Sequence, residues 1–104
     1  MTANLISLQD IEFKPGKLNR QTLFEGEAGE LNHIAIPAGT PLPRHTSPVS
    51  AWLQVLRGKV QVTVNDSETI TVSAGQMLHL PAGNPHALHP IEDSVVLVTK
   101  FANA

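Results

Sequence analysis

The stretch that decides the fold is Gly75-Gln76-Met77-Leu78-His79-Leu80-Pro81-Ala82-Gly83-Asn84-Pro85-His86. It reads as a short apolar strand, a sharp turn around Pro81 and Gly83, and a histidine at the entry to a further strand. Pro81 fixes one backbone dihedral, Gly83 accepts a positive φ that side chains resist, and Pro85 keeps Asn84 extended. A turn so constrained aims the side chain of His86 in one direction.

Working outward, strand signals stand on both sides. Residues 59–64 alternate strictly, with Val60, Val62 and Val64 on one face and Lys59, Gln61 and Thr63 on the other, the pattern of a half-buried strand. Residues 51–57 place Ala51, Leu53 and Val55 on one face, and 69–72 alternate again after an Asn65-Asp66-Ser67 turn. Residues 94–101 are apolar on both faces around Val95 to Val98 and so predict a strand buried on two sides. Upstream, 18–25 and 31–36 read as strands separated by a turn at 26–30. Residues 40–48 hold Pro41, Pro43 and Pro48; proline has no ladder donor, so a stiff connection on the rim is expected there and not a central strand. Residues 1–17 read as an N-terminal arm carrying Leu5, Ile6, Leu8, Ile11 and Phe13, ending in a turn at Lys14-Pro15-Gly16-Lys17. Eight prolines and seven glycines punctuate the chain at strand-and-turn intervals. The prediction is one all-β domain over residues 1–104, a small β-barrel or jelly roll of about eight antiparallel strands.

Composition narrows the function classes. Hydrophobic residues make up 41% of the 104 and charged ones 15%, with a net charge of −2, which describes a globular protein and not a disordered one. No Lys/Arg cluster is present, so neither nucleic acid nor an anionic membrane is expected as a partner. No apolar run approaches a membrane span, and MTANLISLQD lacks the form of a secretion signal, giving a cytoplasmic expectation. The absence of cysteine excludes disulfides, thiolate metal ligands and cysteine nucleophiles. On the 51–57 strand, Trp52 and Leu56 face away from the predicted core. Two covers are possible for them: a second subunit in a homodimer, or the N-terminal arm.

The chemistry lies in five histidines, His33, His45, His79, His86 and His89; no Ser/His/Asp spacing, phosphate loop or carboxylate pair accompanies them. Neutral imidazole ligates zinc, iron, nickel or copper, usually in sets of three or four ligands. Without a metal, His45 and His86 serve equally as hydrogen-bonding pocket residues. His33 is expected to bond a backbone carbonyl or solvent, and His79 to be an ordinary strand histidine unless it points inward. His89, three residues past His86, takes the opposite face of its strand. Arg44, Gln54, Gln76 and the Glu92-Asp93 pair read as solvated surface, with Arg44 also able to clamp a carboxylate on the rim.

The spacing Gly75-x5-Pro81-x-Gly83-x2-His86 resembles the second conserved motif of the cupin superfamily. The first motif, G-x5-H-x-H-x3-E-x6-G, is matched at Gly39, His45 and Gly58, so the resemblance covers about residues 39–90. It departs at Ser47 in place of the second histidine, Ala51 in place of the glutamate and Pro90 in place of the closing asparagine. The resemblance implies a barrel with a site in its mouth, in which His45 and His86 are what remains of the usual four ligands. A divalent Zn, Ni or Fe ion would then be held weakly, with His79 or His33 as a third nitrogen. The function so implied is small-molecule binding by His45, His86 and Ser47 over an apolar lining of Leu53, Val62 and Leu78. The alternative is a metal-dependent cupin enzyme of dioxygenase, isomerase or epimerase type. A scaffold without pocket chemistry comes third.

Overall fold

The computed structural model describes residues 3–102, and among them every regular element is a strand. The strands are β1 (Asn19–Gly26), β2 (Gly29–Ile36), β3 (Leu42–His45), β4 (Ala51–Arg57), β5 (Lys59–Val64), β6 (Glu68–Ser73), β7 (Met77–Leu80), β8 (His86–Pro90) and β9 (Ser94–Phe101). Two antiparallel sheets face each other. One has five strands in the order β1-β2-β9-β4-β7, the other four in the order β3-β8-β5-β6. The all-β jelly roll expected from the pattern of turns and alternation is what the chain forms.

The space between the sheets is filled by the inward half of each alternating strand. Ala51, Leu53 and Val55 from β4 meet Val60 and Val62 from β5, Ile34 and Ile36 from β2, and Val96 from β9. The solvent side of β5 carries Lys59, Gln61 and Thr63, as a period of two requires.

β2 and β9 break the alternation. Residues Asn32 to Ile36 and Ser94 to Val96 are buried without interruption, because both faces of these strands are covered. Inside lies the core. Outside, Ala35 and Val95 form a second apolar cluster with Ile11, against which Phe13 and Leu56 pack. The arm therefore covers Leu56. It is also tied at Leu8, whose carbonyl accepts a 2.7 Å hydrogen bond from His33 Nε2. His33 is 1% exposed, so its carbonyl partner is the one expected for a strand histidine, supplied by the arm. Burying Ile11 contributes about 1.5–3 kcal/mol, enough to hold the segment in place without regular structure.

The proline-rich segment is more regular than the sequence suggests. Leu42–His45 forms a strand, but one at the edge of its sheet, where Pro43 does not have to supply a ladder donor. A two-residue reversal at Asn65 and Asp66, with φ of 53° and 58° and a Ser67 N–H to Val64 carbonyl bond of 3.2 Å, is a type I′ turn joining β5 to β6. Arg44 reaches this turn and makes two hydrogen bonds to Asp66, at 2.6 and 2.9 Å. Arg44 is thus a solvated rim residue, as expected, its guanidinium spent on an exposed pair with Asp66.

Candidate functional site

His45 and His86 are brought together by strand pairing. They are Cα partners in the β3–β8 ladder, while Leu42 pairs with Leu88. Three residues on β3 therefore span what two span on β8, so one extra residue is bulged out between Leu42 and His45. The bulge has a consequence for direction. Leu42 and His45 are an odd number of positions apart and would face opposite ways on a regular strand, yet both line the same cavity. A bulge re-aims a side chain in this way; here it turns His45 inward and sends Arg44 out to Asp66. His86 is held by the turn that follows β7. Gly83 has φ +82°, its N–H donates to the Ser47 carbonyl at 2.9 Å, and the Pro85 carbonyl accepts from the N–H of Asn65 at 2.9 Å.

The two rings meet edge to face, centroids 4.2 Å apart and planes at 72°, with Nε2 to Nε2 at 3.0 Å. His45 Nδ1 lies 3.2 Å from the Pro43 carbonyl and His86 Nδ1 3.3 Å from the Asn84 carbonyl. A carbonyl only accepts, so both Nδ1 atoms must carry hydrogen to keep these bonds. Two neutral rings of that tautomer would then point lone pairs at each other across the 3.0 Å gap. All three contacts are satisfied together when the pair holds one additional proton between the Nε2 atoms. The surroundings oppose that proton: burial, then the charge of His45 and that of Lys100 hold the His86 pKa below its ordinary value, with the Asn84 carbonyl pulling the other way.

Behind the rings lies a cavity of about 70 Å³ between the sheets. Its floor is apolar: Leu42, Leu88 and Val62 form one cross-strand row, and Ile34, Leu53 and Val98 face them from the other sheet. Its rim carries His45, His86, Ser47, Arg20 and Lys100. Of the residues expected from sequence, His45, His86, Ser47, Leu53 and Val62 all line this cavity.

Two expected residues do not. Leu78 packs against the core and lines a neighbouring hollow of about 210 Å³ with Val64, Ile70, Glu68 and Asn84, a hollow that also takes in His79 and shares His86 and Leu80 with the first cavity. It is therefore not part of the lining predicted for it. His79 pairs with Trp52 on the outer face of the five-stranded sheet, its ring stacked at 4.9 Å from the indole, whereas its neighbours Leu78 and Leu80 point inward. The proposed third metal nitrogen faces the wrong way, since a period of two separates 79 from 78 and 80. His33 is equally removed, beneath the arm.

Arg20 and Lys100 are the site residues that sequence reading missed. Arg20 is the Cα partner of Ile34 in the β1–β2 ladder, and Lys100 follows Val96 and Val98 on the inner face of β9. Counting by twos from Val96 would have found Lys100; Arg20 needed the register.

Do these residues suit a resident divalent metal? The Nε2 separation of 3.0 Å matches the edge between two cis ligands of an octahedral ion at bonds of about 2.1 Å, and is shorter than the tetrahedral edge of about 3.4 Å that zinc would set. The rest of the donor set does not suit. Position 51, where the glutamate would stand, is alanine, and among the described residues no three His, Cys, Asp or Glu side chains converge. Ser47 Oγ already accepts from the Val49 N–H at 3.3 Å. The two charged side chains on the rim are both cationic and repel a metal ion. Two imidazoles without an anionic ligand fall short of a Zn, Ni or Fe centre.

Comparison with known proteins agrees with this architecture. A family model described as the cupin domain matches residues 32–99. An uncharacterised protein of Methanocaldococcus jannaschii is 28% identical over 61 residues, 59% of this chain and 53% of that protein, so the chain spans about half the length of this curated relative. Similar solved structures include a conserved protein of unknown function from Streptococcus pyogenes (27% identity, TM-score 0.89, all of this chain and 91% of that one). The cupin domain of Cnp3 from Schizosaccharomyces pombe (24% identity, TM-score 0.82, 93% and 72%) shares the fold. So does an RmlC-like cupin with a double-stranded β-helix from Methanocaldococcus jannaschii (24% identity, TM-score 0.76, 88% and 87%). With the family model covering both motifs and most of the strands, the chain belongs to the cupin family.

Proposed function

We propose that this protein is a small-molecule-binding cupin barrel, with its ligand seated between the sheets and its polar end held by His45 and His86. The observation that carries the reading is the cavity itself: an apolar floor of Leu42, Leu53, Val62 and Leu88 that ends at a pair of convergent imidazoles and the Ser47 hydroxyl. Small-molecule sites have this form, mostly apolar with a few placed polar groups. The alternative of a metal-dependent dioxygenase, isomerase or epimerase gains less support, because such chemistry needs an ion kept by enough protein ligands with positions left open, and here Ala51 and Ser47 stand where ligands would. Part of the outer face, around Trp52, His79 and Met77, is not covered by the arm; the homodimer expectation stays a proposal for that patch, decided by the sedimentation mass.

The test is a thermal-shift screen of small polar and amphipathic compounds, with hits measured by calorimetry on wild type, Ala51→Leu and His79→Gln. Ala51 lines the cavity, so the leucine fills it, while position 79 lies outside. Hits lost in Ala51→Leu and retained in His79→Gln support the reading. Hits that survive the filled cavity, or a screen in which no compound raises the melting temperature, overturn it. Zn²⁺, Ni²⁺ and Fe²⁺ belong in the same screen; tight stoichiometric binding that needs both His45 and His86 would favour the enzyme alternative.

A further inference from the structure

The rim of the cavity has one sign of charge. Arg20 and Lys100 line it together with the two histidines, and no Asp or Glu does. The described residues contain one salt bridge, Arg44 to Asp66, so neither Arg20 nor Lys100 has a carboxylate within ion-pairing distance among them. The acidic residue facing Lys100 across the ladder is Glu30, and it does not line this cavity. Its Oε1 instead accepts from Asn32 Nδ2 at 2.9 Å, while Asn32 Oδ1 accepts from the Thr22 hydroxyl at 2.8 Å. Asn32 is thus bonded at both Oδ1 and Nδ2 and is 2% exposed, leaving the cations as the charged rim groups that meet a ligand. The neighbouring hollow is different: Glu68 lines it, and no Lys or Arg does.

Arg20 is exposed and Lys100 half-buried, so water solvates both until a ligand arrives, and together they set donors of one sign beside an apolar space, where an anion is held in preference to a neutral group. The Nε2 atoms of His45 and His86 converge to 3.0 Å on the same rim and offer further hydrogen-bonding nitrogens to a bound anion. Size sets the rest. At roughly 10–15 Å³ for each water-sized group, about 70 Å³ admits a body of about five such groups against Val62, Leu53 and Leu88.

We infer that the ligand is a small organic carboxylate with a short branched apolar body, its carboxylate held at the rim by Lys100, Arg20 and the His45–His86 pair and its hydrocarbon between the sheets. This rests on the binding reading above and adds the chemical class. A carboxylate in this position accepts from the Lys100 ammonium and the Arg20 guanidinium and lies within reach of the two imidazoles, while the body replaces water on the apolar floor.

The probe is 3-methylbutanoate, measured by calorimetry beside 3-methylbutanamide, 3-methylbutanol and inorganic phosphate on the full chain. The carboxylate is expected to bind at least about ten-fold more tightly than the amide or the alcohol, the margin of a charge-assisted over a neutral hydrogen bond, and more tightly than phosphate, which has no apolar body. Lys100→Met should remove most of the acid–amide difference. The wild-type comparison needs no variant, so poor folding of Lys100→Met cannot shelter the inference. If the amide or alcohol binds as well as the acid, the anion assignment is wrong and the small-molecule reading stands. If phosphate matches the acid, the apolar body is wrong. If none of the four binds, the carboxylate assignment falls, and the binding reading is then judged on the wider screen.

Discussion

Two glycines with nearly the same backbone angle should respond very differently to alanine, and the difference measures how tightly the barrel is closed. Gly83, in the turn that carries His86, has φ +82°, and a Cβ added there meets nothing within 4 Å. Gly58, between β4 and β5, has φ +91°, and its Cβ would lie 2.5 Å from the Asp93 carbonyl oxygen and 2.8 Å from Ser94 Cα. Both substitutions incur the left-handed penalty of about 1–2 kcal/mol. For Gly83→Ala that is the whole cost, and Gly83→Val should cost about 1–3 kcal/mol because branching restricts the backbone further.

Gly58→Ala adds two further losses. The β8–β9 connection must move, at about 1–3 kcal/mol for overpacking. Moving it also disturbs Ser94, whose hydroxyl accepts from the Lys59 N–H at 3.0 Å and donates to the Glu92 carbonyl at 2.8 Å, each bond contributing about 1 kcal/mol. The expected total is about 4–7 kcal/mol. Urea unfolding at fixed pH, with midpoint and slope both fitted, gives the two values directly. Equal destabilisation of Gly58→Ala and Gly83→Ala would refute the claim that the wall at position 58 is rigid main chain.

Two further outcomes follow from the arm and from His86. Ile11→Ala should cost about 2–5 kcal/mol by opening the outer cluster with Ala35 and Val95, and limited proteolysis should then cut within residues 3–13 before the barrel; unchanged resistance would show that the arm is not anchored there. The folded state binds a proton at His86 more weakly than the unfolded chain does, so His86 contributes stability that is complete above the ordinary value of 6.5 and is lost as pH falls through the depressed folded value. The groups facing that ring are His45 from β3, the cations Lys100 and Arg20 from β9 and β1, and, across the neighbouring hollow, Glu68 from β6 and His79 from β7. The melting temperature should therefore drop as pH falls below the ordinary histidine value of 6.5, less so in His86→Gln and less so with carboxylate bound; an identical profile in His86→Gln would assign the drop to another group.

Much of this architecture can be read in the chain, and the gaps have physical causes. Strands β4, β5 and β9 announce themselves because one or both faces are buried and the apolar residues fall at a period of two. The turn from Pro81 to Gly83 is legible because only certain residues reach its backbone angles. The pairing of His45 with His86 follows from the spacing of two motifs, but its inward direction depends on a bulge at Pro43 and Arg44 that no periodicity reveals. His79 is the ordinary strand histidine expected of it, and its neighbours show why it is no third nitrogen: Leu78 and Leu80 are apolar, so the residue between them points out. Arg20 and Lys100 are hidden for a different reason. A cation on a strand ordinarily faces solvent, and only the register that sets Arg20 across from Ile34 and continues Val96 and Val98 to Lys100 turns both toward the cavity. Whether the arm or a second copy covers the outer face was undecidable from residues 51–57 alone; the packing of Ile11 and Phe13 beside Leu56 decides it for that residue.

The most direct test of the account is a histidine-detected nitrogen NMR titration with 3-methylbutanoate at neutral pH, followed together with the methyl signals of Val62 and Leu88. The account predicts that His45 and His86 Nε2 shift together toward the protonated form, in step with those methyls, while His79 stays still. Shifts centred on His79 and Trp52 with the 45–86 pair unmoved would contradict it.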